Sequence, residues 1–227
     1  TTDEGGVKRK SAATNSSLTR SPIINRGYYV RYQAIRYGME RVLNGTNKKN
    51  VVISLGAGFD TLAFRYEGRA FFIELDYLAV CRRKAAIILD AELLPAARLV
   101  YSPEQSTNDD DDNSARLVLQ ADNYLLCGVD LRRISDVLQL FDSLRSLLIT
   151  SITEFNQKSP LSYNDELNFI LFNECSLCYL AQSDADRLLQ TIMETMSHIF
   201  DGSTTYNLQF TYLGYEMYRS RNEDFNK

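Results

Sequence analysis

Asp76 stands 20 positions after Gly56, at the end of the apolar stretch FFIELD, which follows the turn Gly56-Ala57-Gly58. Glycines at the end of a strand let the backbone come close to a ligand, because no Cβ stands in the way. A carboxylate at the end of the next strand, at this distance, is placed to accept hydrogen bonds from ribose hydroxyls. Two more acids close apolar runs: Asp130 ends YLLCGVD and Glu174 ends LNFILFNE. The turn lacks the third glycine of the dinucleotide fingerprint, and no lysine-bearing phosphate loop is present. Acids on successive strand ends favour a ligand with positive charge as well as hydroxyls, and S-adenosylmethionine, with its sulfonium and amino groups, is the cofactor that fits. The plain alternative is a set of solvated loop acids on an ordinary α/β turn.

The other reactive side chains carry weaker signals. Cys175-x-x-Cys178 has the spacing of a redox pair but follows an apolar strand and has no partner CxxC, so it is not a zinc site. Together with Cys81 and Cys127 it is expected to be a reduced thiol set, without disulfides. The run Asp109 to Asp112 must be solvated, since adjacent carboxylates repel and are costly to bury, and it lacks the spacing of a calcium loop. No metal is expected. His198, the only histidine, falls near the end of an expected helix and reads as a packing or capping residue. Asn15-Ser16-Ser17 and Asn44-Gly45-Thr46 match the glycosylation sequon without a secretory signal.

Strands and helices that alternate must position these groups. A polar arm through residue 21 is expected to be poorly ordered, with residues 22–227 forming the domain. Helical spacing of apolar residues runs from Ile24 to Leu43, and buried strands are expected at Asn50–Leu55, Ala70–Leu75, Tyr124–Val129 and Leu167–Phe172. Helices are expected at Leu78–Leu94, stopped by Pro95, at Ile134–Phe155, and at Ser183–Ser197, capped by Ser183 and Asp184. QKSPLSYND is a linker. The alternation predicts an α/β fold, a doubly wound and mainly parallel sheet whose ligand sits beyond the carboxyl ends of the strands.

At 227 residues the chain suits one domain, and a net charge of −4 argues against coating nucleic acid by bulk charge. No apolar run approaches the roughly 18 residues of a membrane span, and TTDEGGVKRK is no signal peptide, so a cytoplasmic protein is expected.

Several blocks together resemble a known family. RSPIINRGYYVR (Arg20 to Arg31), ISLGAGFDTLAFR (Ile53 to Arg65), the strand ending in Glu-x-Asp, GVDLR (Gly128 to Arg132) and NECSLCYL (Asn173 to Leu180) are similar to the leucine carboxyl methyltransferase family. The resemblance implies a Rossmann-like class I S-adenosylmethionine-dependent methyltransferase fold with an N-terminal helical extension. It implies cofactor contacts from Arg31, Gly56, Gly58, Asp76, Asp130, Leu131 and Glu174: Asp76 on the ribose, Asp130 and Leu131 around the adenine, Glu174 towards the methionine end. Arg31 is also the catalytic candidate, because guanidinium holds a carboxylate in bidentate geometry. Tyr28 and Tyr179 are candidates for the acceptor pocket, with core packing as the alternative for each.

The family has two branches. One methylates the C-terminal leucine carboxylate of the protein phosphatase 2A catalytic subunit. The other, the tRNA wybutosine-synthesizing protein 4 branch, methylates and methoxycarbonylates a tricyclic guanosine precursor in phenylalanine tRNA. TNSS at Thr14, RGYYVR, GAGFD, Arg82-Arg83-Lys84-Ala85 and NYLLCGVDLR are closer to the second branch. The chain also departs from the pattern. A family lysine near the cofactor has no counterpart, Lys8 and Lys10 lying before TNSS, and segments are missing near residues 18 and 202, where DGSTTYNLQF replaces a strand with a Glu-Gln-like end. The Kelch-type propeller of many wybutosine-branch proteins has no counterpart either. A non-catalytic, truncated cofactor-binding domain therefore stands as a third reading.

Overall fold

The computed structural model describes residues 21–45, 49–100, 114–158, 166–201 and 206–216. The expected N-terminal arm with TNSS, the Asp109–Asp112 run and most of the QKSPLSYND linker lie outside the described residues, as do Thr46 of the second sequon and the segment after residue 216.

Helix α1 (Pro22–Asn44) leads to β1 (Lys49–Leu55), a short α2 (Leu62–Arg65), β2 (Phe71–Asp76) and α3 (Leu78–Asp90). After these come β3 (Arg98–Leu99), β4 (Arg116–Ala121), β5 (Tyr124–Gly128), α4 (Ile134–Ser143), α5 (Arg145–Lys158), β6 (Glu166–Glu174), α6 (Gln182–Phe200) and β7 (Asn207–Tyr215). The seven strands form one sheet in the order β3-β4-β5-β2-β1-β6-β7. β5, β2, β1, β6 and β7 run parallel, and β4 and β3 join antiparallel at one edge. The fold is the expected α/β one, with a mainly parallel sheet.

The central strands are apolar on both faces, which is why they read as continuous runs in place of an alternating pattern. Val51, Ile53 and Leu55 stand beside Phe71, Ile73 and Leu75 and beside Phe169 and Leu171 on one face, in a core shared with α4, α5 and α6. The opposite face carries Phe72, Glu74 and Tyr124, where α3 packs against β2, β4 and β5. On that face, Asn168 Nδ2 donates to Asn50 Oδ1 at 3.0 Å and Thr211 Oγ1 to Asn168 Oδ1 at 3.0 Å, so polar side chains of three adjacent strands bond to one another.

Several boundaries differ from expectation. The helix expected from Ile134 to Phe155 is two helices that meet at Leu144, where ψ is 1°; the Ser143 hydroxyl bonds to the Leu140 carbonyl at 2.7 Å, beside the Leu144 N–H at 3.0 Å. α3 ends at Asp90, before Pro95: the chain turns at Glu92, which has positive φ, and turns again at Ala96 beyond the proline. α6 begins at Gln182 with Ala181 at its N-cap, and no side chain caps it; Asp184 lies in the first turn and Ser183 does not act as a cap. β4 and β7 were not expected. β7 pairs along its length with β6, so a strand does occupy the place where DGSTTYNLQF departs from the family pattern.

The chain divides into two compact units, Thr1–Tyr37 and Gly38–Lys227. In the first, the described turns of α1 expose Ile23, Tyr28, Tyr29 and Tyr37. The second contains the whole sheet and helices α2 to α6. Among the described residues no helix is long and apolar enough to cross a membrane, and no group of three or more metal-binding side chains occurs.

Candidate functional site

Strand order reverses at β1: the chain passes from β1 to β2 on one side and later returns to place β6 on the other. Beyond the carboxyl ends of these strands, where such sheets bind ligands, lies a cleft of about 300 Å³. Gly56, Asp76, Asp130, Leu131, Glu174 and Tyr179 line it, so six of the nine candidates come together. Tyr77, Val129, Arg132, Cys175, Ser176 and Leu180 complete the wall. Gly58 is not among the lining residues, and Tyr28 and Arg31 belong to α1 in the first unit; the cleft consists of second-unit residues alone.

The glycine turn is held by the end of β2. Gly56 and Ala57 N–H donate to the Leu75 carbonyl at 2.8 and 3.2 Å. Gly56 has φ +70°, and a Cβ there would collide with the Ser176 side chain. Gly58, at φ +49°, donates its N–H to Asp76 Oδ2 at 2.6 Å, and the Tyr77 N–H reaches Asp76 Oδ1 at 2.7 Å. Its place is thus to orient Asp76, a contact that spacing alone did not reveal.

Asp130 sits two residues beyond β5. Its carboxylate accepts from the Arg132 backbone N–H at 3.0 Å and from the guanidinium at 2.7 to 3.1 Å. Those hydrogen bonds, chiefly from the Arg132 side chain, hold its pKa below the usual aspartate range. Arg132 in turn lies over the Tyr77 ring, 5.5 Å from its centroid. On the far wall Asn173 Oδ1 accepts from the Ser176 and Leu177 N–H groups, both at 3.1 Å, and also contacts the Ser176 hydroxyl. That hydroxyl reaches the Leu55 carbonyl at 2.5 Å, tying the loop after β6 to the end of β1. The Asn-x-x-Ser spacing of a side-chain-closed turn was the available signal for these two residues.

Asp60 closes the turn by accepting from the Thr61 and Leu62 N–H groups at 2.6 and 3.2 Å. Burial, followed by the nearby Glu174 carboxylate, pushes its pKa up, while the backbone donors and Lys84 oppose the rise. A carboxylate raised in this way contributes stability that is complete below its unfolded pKa and is lost as pH rises through the folded one. Asp60→Asn keeps the acceptor oxygen and removes the charge. The variant is expected to match the native chain near pH 4 and to become the more stable of the two as pH approaches about 8, in thermal melts followed across that range. A constant difference at all pH values would contradict the assignment.

The cysteines are all free: Cys81, Cys127 and Cys175 are buried and Cys178 is exposed. Burial pushes the Cys81 and Cys127 thiols well up, and the Cys81 thiol donates to the Cys127 carbonyl at 3.3 Å, so these two are packing groups. Burial and the Glu216 carboxylate also push Cys178 up. His198 lies in the last turn of α6, and its backbone carbonyl accepts from Arg145 at 3.3 Å.

Asp76, Asp130 and Glu174 present acceptors to the cleft, with Arg132 as the one lining cation. This acceptor set fits a ligand that brings hydroxyl donors and positive charge. The model for leucine carboxyl methyltransferase matches residues 3–139. The leucine carboxyl methyltransferase 1 homolog of Arabidopsis thaliana is 37% identical over 145 residues, covering 60% of this chain and 41% of that protein. The tRNA wybutosine-synthesizing protein 4 of Gibberella zeae is 31% identical over 185 residues, 78% of this chain and 16% of that protein. Leucine carboxyl methyltransferase 1 of Debaryomyces hansenii is 31% identical over 177 residues, 74% of this chain and 42% of that protein. The chain thus spans less than half the length of each of these relatives. With its methyltransferase-type sheet, and with the glycine turn, Asp76 and Asp130 inside the matched region, this chain belongs to the leucine carboxyl methyltransferase family.

Proposed function

We propose that the chain binds S-adenosylmethionine in the cleft and serves methyl transfer to a carboxylate. One observation carries the reading: the cleft gathers Gly56, Asp76, Asp130, Leu131 and Glu174 from four separate stretches of sequence, and these are residues assigned to the cofactor by spacing and resemblance. When bound, S-adenosylmethionine supplies a methyl group on a cationic sulfur. Asp76, oriented by the Gly58 and Tyr77 N–H groups, would accept from the ribose hydroxyls. Asp130 and Leu131 would frame the adenine, and Glu174 would face the methionine end. An acceptor carboxylate is ionised at neutral pH, so the chain needs no general base; its task is alignment and exclusion of water. Arg31 is the residue assigned to hold a carboxylate, and Tyr28 and Tyr179 to flank the acceptor, with Tyr179 80% exposed at the cleft.

The acceptor in this reading is the wybutosine precursor of phenylalanine tRNA, methylated and then methoxycarbonylated in the cytoplasm. The motif wording favours it, and relatives named tRNA wybutosine-synthesizing protein 4 support it. The second reading, the C-terminal leucine of the protein phosphatase 2A catalytic subunit, has the support of the relatives named leucine carboxyl methyltransferase 1. The deciding experiment offers labelled S-adenosylmethionine with each acceptor in parallel. Label on the tRNA alone, lost on Arg31→Ala, is the expected result; label on the phosphatase overturns the choice of acceptor. Asp76→Ala is expected to weaken S-adenosylhomocysteine binding about 10- to 100-fold by calorimetry, the worth of charged hydrogen bonds to two hydroxyls. Unchanged affinity would remove Asp76 from the site.

A further inference from the structure

Directly beneath the cleft, three side chains that the reading above does not use meet in the core. Glu74 is 1% exposed and Lys84 3% exposed. Lys84 Nζ donates to Glu74 Oε2 at 2.5 Å, and the buried Tyr124 hydroxyl donates to the same oxygen at 2.6 Å. The Lys84 ammonium also lies 6.0 Å from the centre of the Phe64 ring, and Phe64 and Tyr124 have ring centres 6.3 Å apart.

The placement of this cluster matters more than its charge. Glu74 lies two residues before Asp76 on β2 and therefore on the same face of the sheet. Lys84 lies eight residues after Asp76, on α3. The ion pair thus spans the corner between β2 and α3, with Asp76 and Tyr77 at its apex. Tyr124 brings in β5, which leads to Asp130, and Phe64 brings in α2, which follows the glycine turn. Lys84 is also the cation whose field opposes the rise in Asp60's pKa. A buried ion pair of this kind is often replaceable by neutral groups of similar shape without loss of stability, so stability alone does not account for it.

We propose that Lys84, Glu74 and Tyr124 are positioning residues for the cofactor site, bracing the β2–α3 corner so that the Asp76 carboxylate meets both the Gly58 N–H and the ribose. The ribose part rests on the cofactor reading; the geometry of Asp76 and Gly58 does not. The test compares the native chain, Tyr124→Phe and the double variant Glu74→Gln with Lys84→Met, by thermal melts, ¹H–¹⁵N spectra and S-adenosylhomocysteine calorimetry. The expected result is a folded double variant with a melting temperature close to native, a shifted Gly58 amide resonance and binding weakened about tenfold, the effect of a small misplacement of a binding group. A folded double variant with native Gly58 resonance and native affinity would overturn the proposal. Should the double variant fail to fold, Tyr124→Phe decides: a moved Gly58 resonance supports the brace, and an unmoved one overturns it. Native protein that binds no S-adenosylhomocysteine would sink the cofactor reading alone, and the Gly58 resonance would still judge the brace.

Discussion

Lys84→Met alone is expected to destabilise the folded chain by about 3–5 kcal/mol, because it leaves the Glu74 carboxylate buried without its cation. The Tyr124 hydroxyl remains as a donor but brings no charge to offset the lost one. Burial already pushes Glu74 upward, with Lys84 as the main opposing influence, so removing Lys84 raises it further. The sign of the pH dependence follows. Below the unfolded glutamate pKa the carboxyl is neutral in both states and the cost is small. Above it the unfolded chain releases a proton that the folded chain retains, and stability falls by up to about 1.4 kcal/mol per pH unit until the folded group also ionises. Urea unfolding at pH 5 and pH 7.5 would read this directly, as a loss much larger at the higher pH. A loss equal at both values would mean that Glu74 is not the source. Adding Glu74→Gln should recover most of the loss, which separates the stranded charge from a simple packing defect.

Gly56→Ala is the second large effect. Gly56 has φ +70°, where an alanine costs about 1–2 kcal/mol, and its new Cβ would meet the Ser176 side chain. Ser176 cannot swing away freely, since its hydroxyl is bound to the Leu55 carbonyl and its N–H to Asn173. Overpacking of this sort adds about 1–3 kcal/mol. The collision falls at the cleft wall, so S-adenosylhomocysteine affinity is expected to drop by about a hundredfold or more, beyond what the stability loss explains. Gly58→Ala is the internal comparison. Its φ is +49°, but no atom lies within 4 Å of the added Cβ, so the backbone cost of about 1–2 kcal/mol stands alone. Calorimetry on the pair would distinguish them, and equal losses would show that φ, with no contribution from the Ser176 contact, governs the turn.

Local pattern made much of this protein legible. The central strands are buried on both faces, so their apolar runs stand out without any knowledge of their neighbours, and β1, β2, β5 and β6 fall close to where the runs predict. The glycine turn and Asp76 follow from strand geometry and covalent distance, because a strand, turn and second strand of this length must bring the two ends near each other. Edge strands were harder. β7 alternates exposed and half-buried residues, and β4 is stabilised by its pairing with β5, so neither displays the continuous apolar run by which the central strands were found.

Contacts between distant parts of the chain lie beyond such reading. That Ser176 stands against Gly56 depends on β6 lying beside β1 in one register, in which Leu55 pairs with Asn173. That Lys84 and Tyr124 share one oxygen of Glu74 depends on α3 crossing the β2 and β5 face at one height. Residue types and spacings constrain what a stretch can bury and where it can turn, whereas strand order and the packing of helices on the sheet minimise free energy over the whole core at once. The acids and glycines that mark the cleft were therefore visible one motif at a time, but the charge pair beneath them, and the loop that closes on Gly56, exist only in the folded chain.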